Sequence, residues 1–569
     1  LLAPSFSQPK PVFMIRRLTS RAEILIIIIL ASIPVFLRLP YRVNIFLSWE
    51  GAYRLSKGQL PFRDFGTPLG GFYWVIPAIF FKLFGHGMNM LVKAQVLLNI
   101  LSGLSFLSIL QSLQVSRGIR LASVVLFCIS YSFFNFWPWY NHSVIVYELA
   151  GLACVCRYAA VSGLFGEVAP MRARAGGSGW LVGGALLLVF SLLTKQDAGA
   201  MAFFVACALV ALQGLLQRTW KPLVVFGGSY LVICCLFILP FIRYGFGYWF
   251  NHGQAPHSAR VSLFDIVDEL LGASSWIKFY IFLIVVLAMA RYRDWTSFIS
   301  DKRMVYLIML TACILGEAAI FQVTSYTPPD NNIFFHSFAF PCIFTLIGGW
   351  LKPGIFTQRR YVVVLSLGIL IWWSADWWKY TQRIVARVLP HSQQVQAVGG
   401  ENVVNKYTFM ITSDTVKDIP MDKWVECGLP SFTGIYMPPP TAEGIQRLMA
   451  MDLVRNGGGK LQVLNMSELT PLEADIPFQP ERNGKLPLWY HLGVGMFNRQ
   501  ADTLEARLRQ HYYDLVLFEY VPTLNNFYPF RVRDTLRLHY RQVDSFPAPR
   551  RGADTRGTIE VYVRPGSGQ

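Results

Sequence analysis

Leu47-Ser-Trp-Glu-Gly-Ala-Tyr-Arg-Leu-Ser-Lys-Gly-Gln-Leu-Pro-Phe-Arg-Asp-Phe-Gly-Thr-Pro-Leu-Gly-Gly-Phe-Tyr-Trp74 is a polar and aromatic interruption in a chain that is otherwise largely apolar up to residue 378. Ser48 can cap a short helix, Gly58 can end it, and Pro61 prevents its return. Glu50 then falls in the first turn, where the helix dipole favours an acid. Glu50 and Arg54 are spaced to share a face, with Tyr53 and Lys57 beside them, and Arg63 and Asp64 follow in the next turn. The stretch therefore gathers the carboxylates Glu50 and Asp64 with the cations Arg54, Lys57 and Arg63. An interfacial helix carrying weak exposed ion pairs would show the same local pattern.

What flanks this stretch decides what it is a loop of. The 569 residues are 53% hydrophobic and 15% charged, with a mean hydropathy of +0.40. So few charges, with long apolar runs, point to a membrane protein. Apolar runs near 22–38, 92–112, 121–138, 143–161, 180–194, 198–216, 222–243, 276–290, 304–322, 334–351 and 361–378 predict about eleven spans of the usual ~20-residue length. The basic start, Met14-Ile-Arg-Arg followed by Ile24 to Leu30, reads as an uncleaved first span because no small-x-small cleavage site follows it. Gly70–Gly85 is apolar but short and contains Pro77, so it reads as a helix lying at the interface.

The charges orient these spans. Arg16, Arg17 and Arg21; Arg117 and Arg120; Arg172 and Arg174; Arg218 and Lys221; Arg291, Arg293, Lys302 and Arg303; and Lys352, Arg359 and Arg360 fall in every second loop. The loops Pro138–His142 and Val323–Asn332 hold no Lys or Arg. The positive-inside rule then places the N-terminus in the cytoplasm and the C-terminal part outside. The expected protein is a multi-pass protein of the cell inner membrane. It has a cytoplasmic segment (1–21), a transmembrane domain (22–378) with a first outer loop (39–91), and an extracytoplasmic soluble α/β domain (379–569). The net charge of +18 is accounted for by these loops, and no clustered basic face suggests nucleic acid.

The C-terminal part is a different kind of chain. Runs at Tyr407–Thr412, Lys460–Leu464, Tyr513–Phe518 and Thr558–Val563 read as strands and Ala501–His511 as a helix, punctuated by Pro438–Pro440 and Gly457–Gly459. Gly457–Gly459 lacks the following Lys-Ser/Thr of a phosphate loop and reads as a turn. Eight of the nine cysteines lie in apolar segments, with Cys427 apart. That is neither a disulfide framework nor zinc-ligand spacing.

The order Glu50-Gly51-Ala52-Tyr53, Gly58-Gln59-Leu60-Pro61-Phe62-Arg63-Asp64-Phe65, Pro68-Leu69-Gly70, Tyr73-Trp74 and Lys82-Leu83-Phe84-Gly85 resembles the first outer loop of family 39-like GT-C glycosyltransferases. That group is related to protein mannosyltransferases and lipid-linked aminoarabinose transferases. The resemblance implies an α-helical GT-C membrane fold and an enzyme that takes a sugar from a polyprenyl-phosphate carrier. The chain departs from the pattern at one place: where the family commonly carries its catalytic Asp, this sequence has Trp49, followed by Glu50. Either Glu50 or Asp64 holds the catalytic role, or this branch has lost it.

Other polar groups in the predicted outer loops are candidates for the same site. Thr194-Lys195-Gln196-Asp197 resembles the family's Lys-Gln turn, although a snorkelling lysine reads the same way. Asn141 and His142 follow an aromatic turn expected of the interfacial belt. Asn331 and His336 lie where another outer loop enters a span. His252 and His257 are not at metal-ligand spacing. Glu148 and Glu317 sit inside predicted spans, where a carboxylate marks either function or a buried hydrogen bond.

The resemblance implies inverting transfer at the outer face. Glu50 or Asp64 would act as general base. Arg54, Lys57, Arg63, Lys195, Gln196, Asn141, His142, Asn331 and His336 would bind substrate or its phosphate. The expected partners are a polyprenyl-phosphate-linked sugar, a glycan, lipid or protein acceptor, and membrane lipids. No cofactor is called for; a divalent metal is compatible with the scheme but not required by it. Two rival readings are a transporter or flippase of lipid-linked glycans, which usually shows inverted repeats not seen here, and a non-catalytic envelope scaffold.

Overall fold

A computed structural model describes residues 12–41, 45–132, 135–166, 177–244, 266–267, 275–325, 333–348, 358–372, 419–457, 459–476, 478, 483–488, 497–521, 528–549 and 557–566. The predicted strand 407–412 and the loop residues His252 and His257 lie outside them.

The first two thirds of the chain is helical. In order come α1 (Val12–Ser32), α2 (Ile45–Ser56), α3 (Val75–Phe84), α4 (Asn89–Ser112), α5 (Arg117–Phe127), α6 (Tyr140–Val161), α7 (Gly177–Leu192), α8 (Gln196–Gln217) and α9 (Lys221–Ile238). The helices Ser275–Arg291, Lys302–Ser325, His336–Gly348 and Arg359–Trp372 follow. Each predicted span overlaps one of these helices. Among the described residues, Asn89–Ser112, Tyr140–Val161, Gln196–Gln217, Lys221–Tyr244 and Lys302–Phe321 are long and apolar enough to cross a membrane by length and composition, so the chain is a multi-pass membrane protein. Of the others, α1 has 21 residues, and the rest fall short of the ~20 residues a span needs. The α5 helix passes into a π-turn at Cys128–Ser132, and His336–Gly348 has 13 residues with Pro341 inside. Leu231, Val232, Leu236 and Leu239 of the α9 stretch are exposed. In water that would be a liability; against lipid it is the expected state.

The connections fall into two sets. Arg120 pairs with Glu23 at 2.8 Å, Arg303 reaches the Gln114 carbonyl at 3.4 Å, and Gln217 reaches the Ser162 hydroxyl at 3.2 Å. These contacts join α1 and the connections that carry basic residues. In the other set, the first loop meets the turns before α6 and before α8. The Ser48 hydroxyl donates to the Pro138 carbonyl, and Gln196 Nε2 donates to the Pro68 carbonyl at 3.2 Å.

In the C-terminal part, β4 (Val463–Met466), β6 (Leu515–Tyr520), β8 (Thr558–Val563) and β7 (Arg541–Pro547) form a sheet in that spatial order. The β4–β6 pair is parallel and the other two pairs are antiparallel. The period-2 alternation sorts its faces. Val516, Phe518 and Tyr562 pack with Leu504, Leu508, Val532 and Leu536 of the helices Phe497–Arg509 and Phe530–His539. Leu515, Leu517, Ile559 and Val561 join an apolar cluster that also contains Trp49, Tyr53, Phe65 and Trp74 of the first loop. Backbone pairing reinforces the junction. Leu39–Pro40 (β1) runs parallel to Ile435–Tyr436 (β3), and Phe65–Gly66 (β2) runs parallel to Asn483–Pro487 (β5). The first loop and the C-terminal part therefore share one core.

Candidate active site

The helix carrying Glu50 starts earlier than the polar residues suggest. Ile45, Phe46 and Leu47 are buried, and the gain from that burial extends α2 back over them. Ser48 therefore spends its hydroxyl on Pro138 rather than on a helix cap. Glu50 sits in mid-helix, away from the dipole's positive end, and its charge is met by Arg54. The guanidinium Nη2 lies 2.8 Å from Glu50 Oε1 and Nε lies 3.0 Å from it. Arg54 also donates to Gln59 at 3.4 Å. Glu50 is only 5% exposed. Burial pushes its carboxyl up, while Arg54 pulls against that shift.

Gly51 and Trp74 explain part of the motif. A Cβ on Gly51 would stand 2.0 Å from Trp74 Cε2, so only glycine lets α2 lie on the indole. The indole Nε1 in turn donates to the Leu47 carbonyl at 2.8 Å. Trp49 is wholly buried. It stacks on Tyr53 with centroids 4.6 Å apart and donates to the His86 carbonyl at 2.7 Å.

Asp64 is occupied by its own turn. Its Oδ2 accepts from the Leu60 N–H at 2.8 Å and from Arg63 Nη2 at 2.7 Å. Arg63 also reaches the Gly58 carbonyl at 3.1 Å. Lys57 is exposed and lies 5.2 Å from the centre of the Tyr53 ring.

Lys195 sits between α7 and α8 and is buried. Its Nζ is 3.5 Å from Asp197 Oδ2, 4.2 Å from the Phe321 ring centre and 5.8 Å from that of Tyr140. Burial lowers the ammonium's affinity for its proton, and Asp197 opposes that. The turn is held against the first loop by the Gln196–Pro68 hydrogen bond and by the backbone at Gly70. Tyr73 links the two groups: its ring lies 6.0 Å from that of Tyr140, and its hydroxyl is within electrostatic reach of both Tyr140 and Glu50. Behind Lys195, Glu148 and Glu317 act on each other inside the bundle. Both carboxyl groups are buried.

The remaining candidates have partners of their own. His142 Nδ1 lies 3.1 Å from Gln95 Nε2, and its ring stacks on Tyr131 at 4.5 Å. The neighbouring Asn141 has a shielded Oδ1 with no hydrogen-bond partner. His336 Nδ1 lies 2.7 Å from the Tyr280 hydroxyl. Asn331 lies outside the described residues. Among the described residues, no group of three His, Cys, Asp or Glu side chains is placed to hold a metal.

The sequence singled out neither Tyr73 as a link nor Glu473 as a neighbour. Glu473, on the short helix Leu472–Asp475, is 5% exposed. It feels the charges of Arg54, Glu50 and Lys57. Only the fold brings it there; nothing in its local sequence marks it.

No family model and no curated protein matches the chain. Solved structures do. ArnT from Cupriavidus metallidurans in the apo state is 10% identical with a TM-score of 0.48, over 97% of this chain and 98% of that one. The same protein bound to undecaprenyl phosphate is 11% identical with a TM-score of 0.45, over 98% and 100%. The arabinofuranosyltransferase AftD from Mycobacteria is 13% identical with a TM-score of 0.47, over 96% of this chain and 40% of that one.

Proposed function

We propose that this chain is a membrane glycosyltransferase that moves a sugar from a polyprenyl-phosphate donor to an acceptor hydroxyl at the outer face of the inner membrane. The observation that carries this reading is the meeting of the first loop with the Lys195 turn through Gln196 and Pro68. Tyr73 lies 6.0 Å from Tyr140 and within electrostatic reach of Glu50, and Tyr140 lies 5.8 Å from the Lys195 ammonium, which supports one site built from the carboxylate–guanidinium pair and the ammonium. A lipid-linked donor keeps its tail in the bilayer, so the chemistry has to occur where such loops converge.

In a single displacement, Glu50 takes the proton of the acceptor hydroxyl. The acceptor oxygen bonds to the anomeric carbon, and the bond from that carbon to the phosphate oxygen breaks. The configuration inverts and polyprenyl phosphate leaves with the electron pair. Preorganised cations, with Lys195 and Arg54 foremost, stabilise the charge that develops on the phosphate. Asp64 is the alternative base; its contacts to Leu60 and Arg63 favour a role in holding the loop.

One observation favours a second reading. Trp49, in the place of the family's acid, is a core residue, as expected of a scaffold that has lost catalysis. The test is transfer by Glu50→Gln against the unaltered protein, with mass spectrometry of envelope glycans from a deletion strain to reveal the product. A missing sugar in the deletion strain, not restored by Glu50→Gln, supports the enzyme. An unchanged glycan profile sinks it.

A further inference from the structure

The segment 135–139, between the π-turn and α6, touches both halves of the site above. On one side the Ser48 hydroxyl, on the same helix as Glu50, donates to the Pro138 carbonyl. On the other, Tyr140 opens α6 and lies 6.0 Å from Tyr73 and 5.8 Å from the Lys195 ammonium. The segment and the first turn of α6 therefore lie between the Glu50 helix and Lys195.

What holds this segment from behind is polar. Gln95, Asn99 and Ser102 of α4 are fully buried, and their helical spacing puts them on one face. Gln95 Nε2 donates to Asn99 Oδ1 at 2.7 Å and lies 3.1 Å from His142 Nδ1. Asn99 Nδ2 donates to the Asn135 carbonyl at 3.3 Å. The Tyr131 hydroxyl donates to the His142 carbonyl at 2.7 Å, and the two rings stack with centroids 4.5 Å apart. The His142 N–H donates to the Trp139 carbonyl at 3.0 Å, which ties the segment to α6. Since α4 is long and apolar enough to cross a membrane, an apolar side chain would fill the Gln95 position without the desolvation cost of an amide. The amide supplies direction instead. It meets α6 at a fixed distance and angle, where apolar contact alone would let the helices shift.

We propose that Gln95 is a positioning residue of the transfer reaction. Through His142 it fixes the segment 135–139, and that segment sets Glu50 and Lys195 at their working separation. This rests on the reading of Glu50 as base and Lys195 as the cation beside the leaving phosphate. In this scheme neither Gln95 nor Ser48 touches substrate; both act on the geometry of the reacting groups.

The test is steady-state transfer by the full-length protein in detergent, per amount of folded protein. The donor is undecaprenyl phosphate carrying the sugar missing from the deletion strain. Gln95→Met keeps length and removes the amide. It should lower kcat by roughly tenfold and leave KM for the donor within about twofold, because misplacement slows chemistry more than it weakens binding. Ser48→Ala frees the other side of the same segment and should lower kcat by a similar factor. If both act through one segment, the double variant should be no slower than the worse single one; independent effects would multiply to about a hundredfold. Ser102→Ala is the control. It breaks the neighbouring contact to the Ser132 hydroxyl, 3.3 Å away, and should leave kcat unchanged. Should Gln95→Met not accumulate, Tyr131→Phe takes its place, because it removes only the hydroxyl that holds the His142 carbonyl.

Multiplying effects, a loss confined to KM, or an equal loss in Ser102→Ala overturns the proposal and leaves the enzyme reading standing. A deletion strain that lacks no sugar ends the enzyme reading, and this proposal with it.

Discussion

A Cβ placed on Gly70 would stand 1.7 Å from the carbonyl oxygen of Leu193. The two backbones touch, and neither can give way as a flexible side chain would. This contact, with the Gln196–Pro68 hydrogen bond, sets the distance between the first loop and the Lys195 turn. Gly70→Ala should therefore push them apart. We expect a cost on the order of 1–3 kcal/mol and a loss of transfer of at least tenfold, with the protein still inserted. Transfer assays on membranes with matched protein amounts check this. Normal activity would show that the loop–turn spacing does not matter.

Glu50→Gln and Asp64→Asn should separate the two carboxylates. The first removes the base and leaves the buried Arg54 without its carboxylate, so transfer should fall by roughly 100-fold or more and the thermal midpoint should fall with it. The second weakens the contacts to Leu60 and Arg63 and should lower thermal stability with a smaller loss of transfer. A larger loss of transfer in Asp64→Asn than in Glu50→Gln would assign the base to Asp64.

Lys195→Met should remove the buried ammonium that lies 3.5 Å from the half-buried Asp197, at a cost below the ~3–5 kcal/mol of a fully buried pair. The loss should be smaller in a Lys195→Met/Asp197→Asn double variant, although transfer stays low in both. Binding of undecaprenyl phosphate to the purified variants, followed by tryptophan fluorescence, checks the phosphate role. Unaltered binding in both variants would remove Lys195 from the site.

The two sets of connections should label from opposite sides of the membrane. A cysteine at Arg117 or Arg218 should react with an impermeant maleimide only after the membrane is opened. One at Asp422, exposed in the C-terminal part, should react in intact cells. Labelling of both from one side would refute the odd number of crossings.

Much of the helical part was legible because an apolar run of bilayer length has few other uses. Every predicted span overlaps a helix. The ends were less so. Ser48 looks like a cap from its neighbours, yet three buried apolar residues carry the helix past it. In the C-terminal part the strand Thr558–Val563 was readable from its β-branched residues. Arg541–Pro547 was not, because its edge position leaves charged residues along it. The Glu50–Arg54 pair was visible as a four-residue spacing, since local geometry makes that contact. The approach of Pro68 to Gln196 and of Glu473 to Arg54 had no such local signature.

By itself the sequence determined the long apolar helices, the alternation of charge and the carboxylate–guanidinium pair of α2. All of these depend on periods and spacings of a few residues. Only the tertiary structure decided that the C-terminal part shares a core with the first loop, that Trp49 is sealed inside it, and that Glu473 comes within electrostatic reach of Arg54. These depend on residues hundreds of positions apart being buried together, and burial rewards apolar area wherever the chain can deliver it.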